Sequence, residues 1–302
     1  MKRIFLHVGF HKTATTFLQN SIYPNMTRVR YVPKDDIRED FRKVRLKRLT
    51  DDEIGKIRRR ILSYDDGRPL LISFEGLSGS PFAPKKTKKQ QAILEDLRRL
   101  FPAAAYDVSL IVGIREQVDL LTSLYIQHIH QGGVYSGPEY INYCERNGSL
   151  SNYQFDRYLD KVRTVFGDQF YVMIYERFKR EFSSELQQLL DFLGEPEIPT
   201  YKDEAKWRNK SLGAAQAAIV RRLNRLVRTP IHPNGPLPVI EVPGIGPLLP
   251  RRLFQNRLSF ALHYKKYRFP EDWQALLKQQ YAASNRRLQD EYGMDLPDVY
   301  SR

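Results

Sequence analysis

The chain begins with a strand pattern that runs directly into a helix pattern, with a glycine and several hydroxyl residues between them. Residues 4–8 form a short apolar run typical of a buried strand, and Phe17, Leu18 and Ile22 have the spacing of one helix face. A strand, a tight turn and a helix N-terminus leave unpaired backbone N–H groups around one point, where the helix dipole also favours an anion. This order predicts a phosphate-binding loop.

The side chains of the turn fit one phosphate better than a chain of three. Lys12 adds a full positive charge, and the hydroxyl donors are Thr13, Thr15 and Thr16. The nucleotide-triphosphatase pattern is G-x-x-x-x-G-K-[ST], whereas Lys12 follows Gly9 by only three residues, with no second glycine before it. We expect so short a loop to hold a single phosphate closely. The alternative interpretation is an ordinary N-capped amphipathic helix after a strand.

Strand and helix patterns alternate over the first two thirds of the chain. Apolar strand patterns at 69–74, 106–114 and 169–175 alternate with helix patterns at 51–64, 88–101, 117–130 and 176–193, and residues 136–166 have the pattern of two further helices. This alternation predicts an α/β fold with a central, mostly parallel sheet flanked by helices. Ligands of such sheets bind outside the carboxyl ends of the strands. Four loops leave those ends, beginning at Gly9, Glu75, Arg115 and Tyr175.

Two regions do not follow the alternation. Residues 29–49 are strongly basic, and we expect an irregular surface excursion there. The last third has helix patterns at 212–228 and 271–292, separated in part by a proline- and glycine-rich stretch at 229–250. That stretch predicts a long loop, of the kind that often has a function in compact domains.

Length and composition are those of a soluble globular protein. With 302 residues, 41% of them hydrophobic and 28% charged, the chain can bury a sizeable core. We expect a single domain over 1–302, with an α/β core at 1–200 and a helical, basic extension at 201–302. No apolar run reaches the ~20 residues of a membrane span. Cys144 is the only cysteine, so no internal disulfide can form and a cytoplasmic location is the simplest expectation.

The charge of the chain favours acidic partners. The formal net charge is +14, and the segment 205–269 contains thirteen Lys and Arg but one acid, Glu241. Such a segment can attract a nucleotide, a polyanionic glycan, a nucleic acid or an anionic membrane surface. A solvated basic face is an equally good interpretation of the same residues.

A second motif combines an arginine and a serine. Arg115 ends the strand pattern at 106–114, and Ser123 lies eight residues further on, inside the following helix pattern. Eight residues are a little over two helical turns, so Arg115 can reach back beside Ser123. Arginine suits forked recognition of a phosphate, and a serine hydroxyl can donate a further hydrogen bond. Taken alone, the simpler interpretation is a strand-end arginine in a local ion pair.

Together the two motifs resemble those of sulfotransferases that use 3′-phosphoadenosine 5′-phosphosulfate (PAPS). The phosphosulfate loop of that family typically reads K-T-G-T-T or K-T-A-S-T, and Lys12–Thr16 here read K-T-A-T-T. Ala14 stands where many members have glycine, so the turn must accommodate a Cβ atom. The resemblance in motifs covers about residues 4–127, and the order of strands and helices extends it to about residue 193.

This resemblance implies a P-loop-like sulfotransferase fold, PAPS as donor and adenosine 3′,5′-bisphosphate (PAP) as product. In the family the loop holds the 5′-phosphosulfate, and the arginine and serine bind the 3′-phosphate. The segment Asn209–Ser211 is similar to a short loop of bacterial members and is a candidate nucleotide contact. The implied nucleotide-binding residues are Gly9, His11, Lys12, Thr13, Ala14, Thr15, Thr16, Arg115, Ser123, Asn209, Lys210 and Ser211.

Sulfuryl transfer to a hydroxyl or amine needs a stabilised leaving phosphate, an acceptor held in line and a base for its proton. Lys12 and the N–H groups of its loop can stabilise the leaving phosphate. In the family the base often comes from a loop between the two motifs, as histidine in some branches and glutamate in others. Glu75 is therefore the candidate base and His11 its competitor, because histidine is a natural base near neutral pH. Ser78 and Ser80 are candidates for orienting the acceptor.

Two other functions compete with this one. A P-loop kinase-like phosphotransferase would hold Mg²⁺ with a strand-end aspartate, but Arg115 occupies that position. A non-catalytic binder of acidic glycan or nucleic acid would depend on the basic last third, and charge reversal at Arg221, Arg222 and Arg225 would abolish its binding. We expect nucleic acid to be the less favoured ligand, and an acidic saccharide is one candidate among the open acceptor classes.

We expect no metal site. The chain has six histidines and one cysteine, scattered along its length. His128 and His130 are two residues apart and cannot share a helix face. A cationic strand end at Arg115 also suits a donor that is bound without a metal ion.

Overall fold

The computed structural model describes residues 1–80, 87–201, 212–229, 231–238, 241–242, 246–247 and 265–301. Their contacts divide into two compact units. The first unit contains the described residues of 1–117, 148–206 and 280–302, and the second contains those of 118–147 and 207–279. The expectation of a single domain over 1–302 stays a prediction.

A five-stranded parallel sheet forms the first unit's centre. Its strands are β1 (Lys2–His7), β2 (Arg30–Val32), β3 (Leu70–Ser73), β4 (Tyr106–Ile114) and β5 (Phe170–Ile174). Their order across the sheet is β2-β3-β1-β4-β5, and every neighbouring pair is parallel. A separate pair of two-residue strands, β6 (Glu241–Val242) and β7 (Gly246–Pro247), is antiparallel and belongs to the second unit.

Helices lie between the described strands and after the last of them. They are α1 (Thr15–Phe17), α2 (Lys34–Leu46), α3 (Asp51–Leu62), α4 (Gln90–Leu100), α5 (Gln117–His130), α6 (Gly137–Arg146), α7 (Phe155–Phe166), α8 (Tyr175–Arg180), α9 (Phe182–Leu193), α10 (Ala214–Asn224) and α11 (Glu271–Asp290). The predicted α/β fold with a parallel sheet flanked by helices is confirmed. Within the described residues, no helix is both long and apolar enough to cross a membrane.

Most residues of β1, β3 and β4 are buried, and most of the buried ones are apolar, because both faces of the sheet are covered. On one face Phe5, Leu71 and Ile111 belong to a buried cluster that includes residues following α1 and residues of α9. On that helical side the buried members are Leu18, Ile22, Tyr23, Leu186, Leu189, Leu190 and Leu193. Ile4, Leu6, Leu70 and Leu110 alternate with the first set along the strands and are also fully buried.

The strand order creates a switch point at the central strand. From β1 the chain runs to β2 and β3 on one side of the sheet, and then to β4 and β5 on the other. In open parallel sheets, ligands bind in the crevice at such a point, beyond the carboxyl ends of the strands. The loops that follow β1, β3 and β4 leave those ends side by side.

The expectation for residues 29–49 is wrong. Arg30–Val32 forms the edge strand β2, and Lys34–Leu46 forms α2. Only one stripe of α2 is buried, including Ile37, Phe41 and Val44, which have helical spacing. Charged residues occupy most other positions, so the basic composition obscured an amphipathic helix.

The helix predicted over 176–193 is in fact two helices. The chain breaks at Glu181, whose φ of −120° and ψ of 50° are not helical, between α8 and α9. The other predicted strands and helices of the first 193 residues are present, and most of their bounds differ by a few residues at most.

The second unit contains α6, α10, nearly all of α5 and the first part of α11. Ser136 and Glu139 form a reciprocal capping box that begins α6. The Asn224 side chain, at the end of α10, donates to the carbonyls of Ile129 and Gly133 at 2.8 and 2.9 Å. These buried bonds join the end of α10 to the end of α5.

Candidate nucleotide-binding site

The loop after β1 is held against β4 before it turns. The Val8 amide donates to the Ile111 carbonyl at 3.0 Å, and the Phe10 amide donates to the Gly113 carbonyl at 2.9 Å. The backbone then enters the left-handed region twice, at Lys12 with φ 68° and at Ala14 with φ 62°. Left-handed residues beside right-handed ones turn consecutive N–H groups toward one point, which is how backbone loops bind anions.

Thr13 stabilises the conformation of this loop from its buried side. It is fully buried, and its hydroxyl donates to the Phe10 carbonyl at 2.6 Å. Its Oγ1 also lies 3.5 Å from Oγ1 of Thr15, which is itself buried. A Cβ atom on Gly113 would stand 2.6 Å from Oγ1 of Thr13, so β4 needs a glycine where the loop crosses it. Thr16 and Lys12 are exposed above this packed base.

The loop after β3 meets the loop after β1. The Phe74 amide donates to the His7 carbonyl at 3.0 Å, which carries the sheet pairing one residue beyond β3. A short 3₁₀ turn, Glu75–Ser78, follows. The Ser78 hydroxyl lies 2.8 Å from the Gly9 carbonyl and 2.9 Å from the Glu75 carbonyl. Ser78 therefore joins the two loops, and Ser80 is buried just beyond the turn.

Glu75 is bound on both carboxylate oxygens. The Lys34 ammonium donates to Oε1 at 2.9 Å and to Oε2 at 2.8 Å. The Gln19 amide also donates to Oε2 at 3.3 Å, and to the carbonyl and hydroxyl of Ser73 at 3.0 Å each. Oγ of Ser73 lies 3.1 Å from Nδ1 of the fully buried His7. A chain of polar contacts thus runs from the ion pair to the central strand.

The two candidate bases influence each other's ionisation. Burial raises the pKa of Glu75, but the charges of His11 and Lys34 and the hydrogen bond from Lys34 outweigh it and hold that pKa at about 2. Burial lowers the pKa of His11 to about 4, although the Glu75 carboxylate opposes the shift. At neutral pH the pair is therefore a carboxylate beside a neutral imidazole.

Arg115 follows β4 and reaches the first loop. Its Nη1 donates to the Lys12 carbonyl at 3.3 Å. Its guanidinium carbon lies 4.6 Å from the centre of the Tyr175 ring, at the start of α8, which is a cation–π contact. Although the Lys12 residue has an exposed surface, surrounding protein atoms partly desolvate its ammonium, and this desolvation and the charge of Arg115 lower the pKa of Lys12. An anion that both cations contact would relieve this repulsion.

The remaining predicted residues lie as follows. Gly9 begins the loop after β1, and a Cβ atom there would stand 2.8 Å from Nε2 of His7. Ser123 lies in the part of α5 that belongs to the second unit. Its pairing with Arg115 stays a prediction, and Asn209, Lys210 and Ser211 lie outside the described residues.

Sequence reasoning missed several residues around these loops. Gln19 is one helical turn beyond Thr15, and a polar residue on the buried side of that helical pattern was the available signal. Lys34 and Arg45 are on α2, which was not predicted. Nη1 of Arg45 would lie 3.1 Å from a Cβ atom at Gly76, so this guanidinium also lies against the loop after β3. Within the described part of the chain, no group of three His, Cys, Asp or Glu side chains could hold a metal ion.

No protein-family model and no curated protein matches the sequence. Among solved structures, the chain is similar to a sulfotransferase from Alicyclobacillus acidocaldarius, with a TM-score of 0.61 and 13% identity over 100% of both chains. It also matches a sulfotransferase domain from the curacin biosynthetic pathway (TM-score 0.38, 14% identity, 66% of this chain and 75% of the other). Retinol dehydratase in complex with androsterone and inactive cofactor PAP matches with a TM-score of 0.34 and 10% identity, over 98% of this chain and 83% of the other.

Of these likenesses, the first has a TM-score high enough to establish a shared fold. The chain has the sulfotransferase fold. The resemblance that the two sequence motifs indicated is confirmed at this level, and the loops described above occupy the carboxyl edge of its sheet.

Proposed function

We propose that this protein transfers a sulfuryl group from PAPS to a hydroxyl or amine of an acceptor. The observation that carries the proposal is the hydrogen bond from Arg115 to the Lys12 carbonyl at 3.3 Å. It links the loop that would hold the 5′-phosphosulfate to the arginine that would bind the 3′-phosphate. The sulfotransferase fold supports the same assignment, and Ser123 would add a hydroxyl donor to the 3′-phosphate.

The loop after β1 would stabilise the leaving group. As the acceptor oxygen or nitrogen bonds to sulfur, the bond from sulfur to the bridging oxygen breaks, and negative charge develops on the 5′-phosphate. The Lys12 ammonium and the backbone N–H groups around Thr13–Thr16 would meet this charge. Because Thr13 is buried and hydrogen-bonded, the loop would be preorganised before the donor binds.

The acceptor's proton would pass to the Glu75–His11 pair. A carboxylate and a neutral imidazole that interact electrostatically titrate together, so the base is assigned to the pair rather than to one residue. The Lys34 ion pair keeps Glu75 weakly basic, and an acceptor that displaces Lys34 would make it a stronger base. The Ser78 hydroxyl would hold this loop against Gly9.

We propose an anionic acceptor, with an acidic saccharide as one candidate class. The support is the excess of basic residues in the second unit, which includes Arg221 and Arg222 in the last turn of α10. Such charge attracts anionic ligands over distances of about a Debye length.

The first experiment is calorimetric titration of PAP without divalent metal. We expect micromolar binding to the wild type and loss of it in Arg115→Ala. Arg163→Ala is the matched control, because that guanidinium also lies over a tyrosine ring, 4.5 Å from the centre of Tyr292, in the same unit. It should leave PAP binding unchanged.

Two results would overturn the proposal. One is no binding of PAP together with Mg²⁺-dependent binding of ATP, which would favour the kinase-like phosphotransferase. The other is unaltered binding of PAP by Arg115→Ala, which would separate Arg115 from the nucleotide.

A further inference from the structure

The turn that presents Arg115 is enclosed by the last residues that the structure describes. A 3₁₀ turn, Asp298–Tyr300, follows α11 near the end of the chain. Tyr300 is buried. Its phenol donates to Oε2 of Glu176 at 2.9 Å, and the Glu116 amide donates to Oε1 at 3.1 Å. Both oxygens of one carboxylate therefore join the chain's end to the residue after Arg115.

A second set of contacts holds the same turn from the other side. The side-chain amide of Asn285, which lies in α11, donates to the backbone carbonyl of Tyr300 at 3.0 Å. The side-chain amide of Gln117, the first residue of α5, donates to Oδ1 of Asn285 at 2.7 Å, and its Oε1 accepts from Nδ2 of Asn285 at 3.3 Å. Both amides are buried. Tyr300 is thus connected to Glu116 through Glu176 and to Gln117 through Asn285.

The carboxylate of Glu176 and the guanidinium of Arg115 interact electrostatically. Burial raises the pKa of Glu176, and the charge of Arg115 is among the effects that oppose the rise. Tyr175, which lies beneath the Arg115 guanidinium, is the residue just before Glu176. A carboxylate with a hydrogen bond on each oxygen keeps its place, whereas one that has lost a donor can turn and pair with a nearby guanidinium.

We propose that Tyr300 is a positioning residue for 3′-phosphate recognition. It keeps Glu176 hydrogen-bonded, and so keeps Arg115 over Tyr175 and directed to the nucleotide. This inference rests on the proposed function, because it assumes that Arg115 binds the 3′-phosphate. It concerns the discrimination of PAP from adenosine 5′-monophosphate, which has no 3′-phosphate.

The test measures the dissociation constants of both nucleotides, whose ratio reports recognition of the 3′-phosphate alone. Tyr300→Phe should lower the preference for PAP about fivefold, the effect of one ordinary hydrogen bond, and leave binding of adenosine 5′-monophosphate unchanged. Asn285→Ala loosens the same turn without altering the Tyr300 phenol, and should lower the ratio as well. If Tyr300→Phe does not fold, as judged by circular dichroism and thermal unfolding, Asn285→Ala decides the question.

The matched control is Tyr292→Phe. That phenol also donates to a carboxylate of the first unit, Oδ1 of Asp160 at 2.7 Å. Asp160 lies in α7, so this change should leave the nucleotide ratio at the wild-type value.

The outcomes separate this inference from the proposed function. If the wild type binds both nucleotides equally, the proposed function fails. If the wild type prefers PAP and Arg115→Ala removes the preference, the proposed function stands. In that case an unchanged ratio in a folded Tyr300→Phe or Asn285→Ala variant, or an equal fall for both nucleotides, overturns the role of Tyr300.

Discussion

Lys34 donates to both carboxylate oxygens of Glu75, at 2.9 and 2.8 Å, from a helix whose start is 41 residues away in sequence. Both side chains are largely buried, with 24% and 19% exposed. The pair therefore joins α2 to the loop after β3 and, together with the charge of His11, holds the pKa of Glu75 low against the effect of burial.

Replacement of Lys34 by methionine should make Glu75 more basic. Without the ammonium, burial raises the pKa of Glu75 above its present value of about 2. A base works only when deprotonated, so the acid limb of the pH–activity profile should move to higher pH. Lys88→Met is the control, because Lys88 pairs with the buried Asp96 elsewhere in the same unit. An unmoved acid limb in Lys34→Met would exclude Glu75 as the base.

The same variant should lose stability in a pH-dependent way. The folded pKa of Glu75 is depressed from 4.5 to about 2, so the ion pair stabilises the fold fully above about pH 4.5, and this contribution disappears as pH falls toward 2. We expect Lys34→Met to cost about 2 kcal/mol at pH 7 and clearly less at about pH 3. Urea unfolding at both pH values measures this, and an equal cost at both would contradict it.

Gly113→Ala should distort the loop after β1. The added Cβ would stand 2.6 Å from Oγ1 of Thr13, and overpacking of this kind costs about 1–3 kcal/mol. Both the free energy of unfolding and the affinity for PAP should therefore decrease in Gly113→Ala. Gly55→Ala is the control, because its Cβ meets only Nη1 of Arg59 at 3.5 Å inside α3, where alanine favours the helix by about 1 kcal/mol. If PAP binds Gly113→Ala as tightly as the wild type, Thr13 does not shape the site.

Ala14→Gly should be neutral or slightly stabilising. Ala14 has a φ of 62°, and a left-handed conformation costs a residue with a Cβ about 1–2 kcal/mol. Glycine removes that cost but gives the unfolded chain more freedom, worth about 0.4–1 kcal/mol. Ala283→Gly, at an exposed position in the interior of α11, should instead lose about 1 kcal/mol. Urea unfolding compares the two variants, and equal losses would mean that Ala14 is not strained.

Buried histidines should make the fold sensitive to mild acid. Burial lowers the pKa of His7, His11 and His128 to about 4 each from 6.5. Between pH 6.5 and 4 the unfolded chain therefore binds protons that the folded chain does not, and stability falls as pH falls. His128→Gln should reduce the loss between pH 7.5 and 5 by about 2 kcal/mol. Chemical unfolding at the two pH values tests this, and an identical loss in the variant would contradict it.

Local patterns were sufficient for much of the fold because they reflect burial. The apolar runs over Tyr106–Ile114 and Leu70–Ser73 predict strands covered on both faces, and both are central strands of the sheet. The edge strand Arg30–Val32 has an exposed, a half-buried and a buried residue, so no apolar run marks it. The helix after it, α2, was not predicted because charged residues occupy most of its positions.

The sequence alone determined the loop and the order of elements around it. A strand, a glycine, a lysine with hydroxyl residues and a helix are consecutive, so their chemistry can be recognised locally, and the fold is the one that they indicated. Tertiary structure alone decided which side chains surround that loop. Lys34 reaches Glu75, Gly113 makes room for Thr13, and Tyr300 approaches the Arg115 turn through Glu176. These contacts join residues far apart in the chain, and they exist only because the parallel sheet brings the carboxyl ends of its strands to one edge.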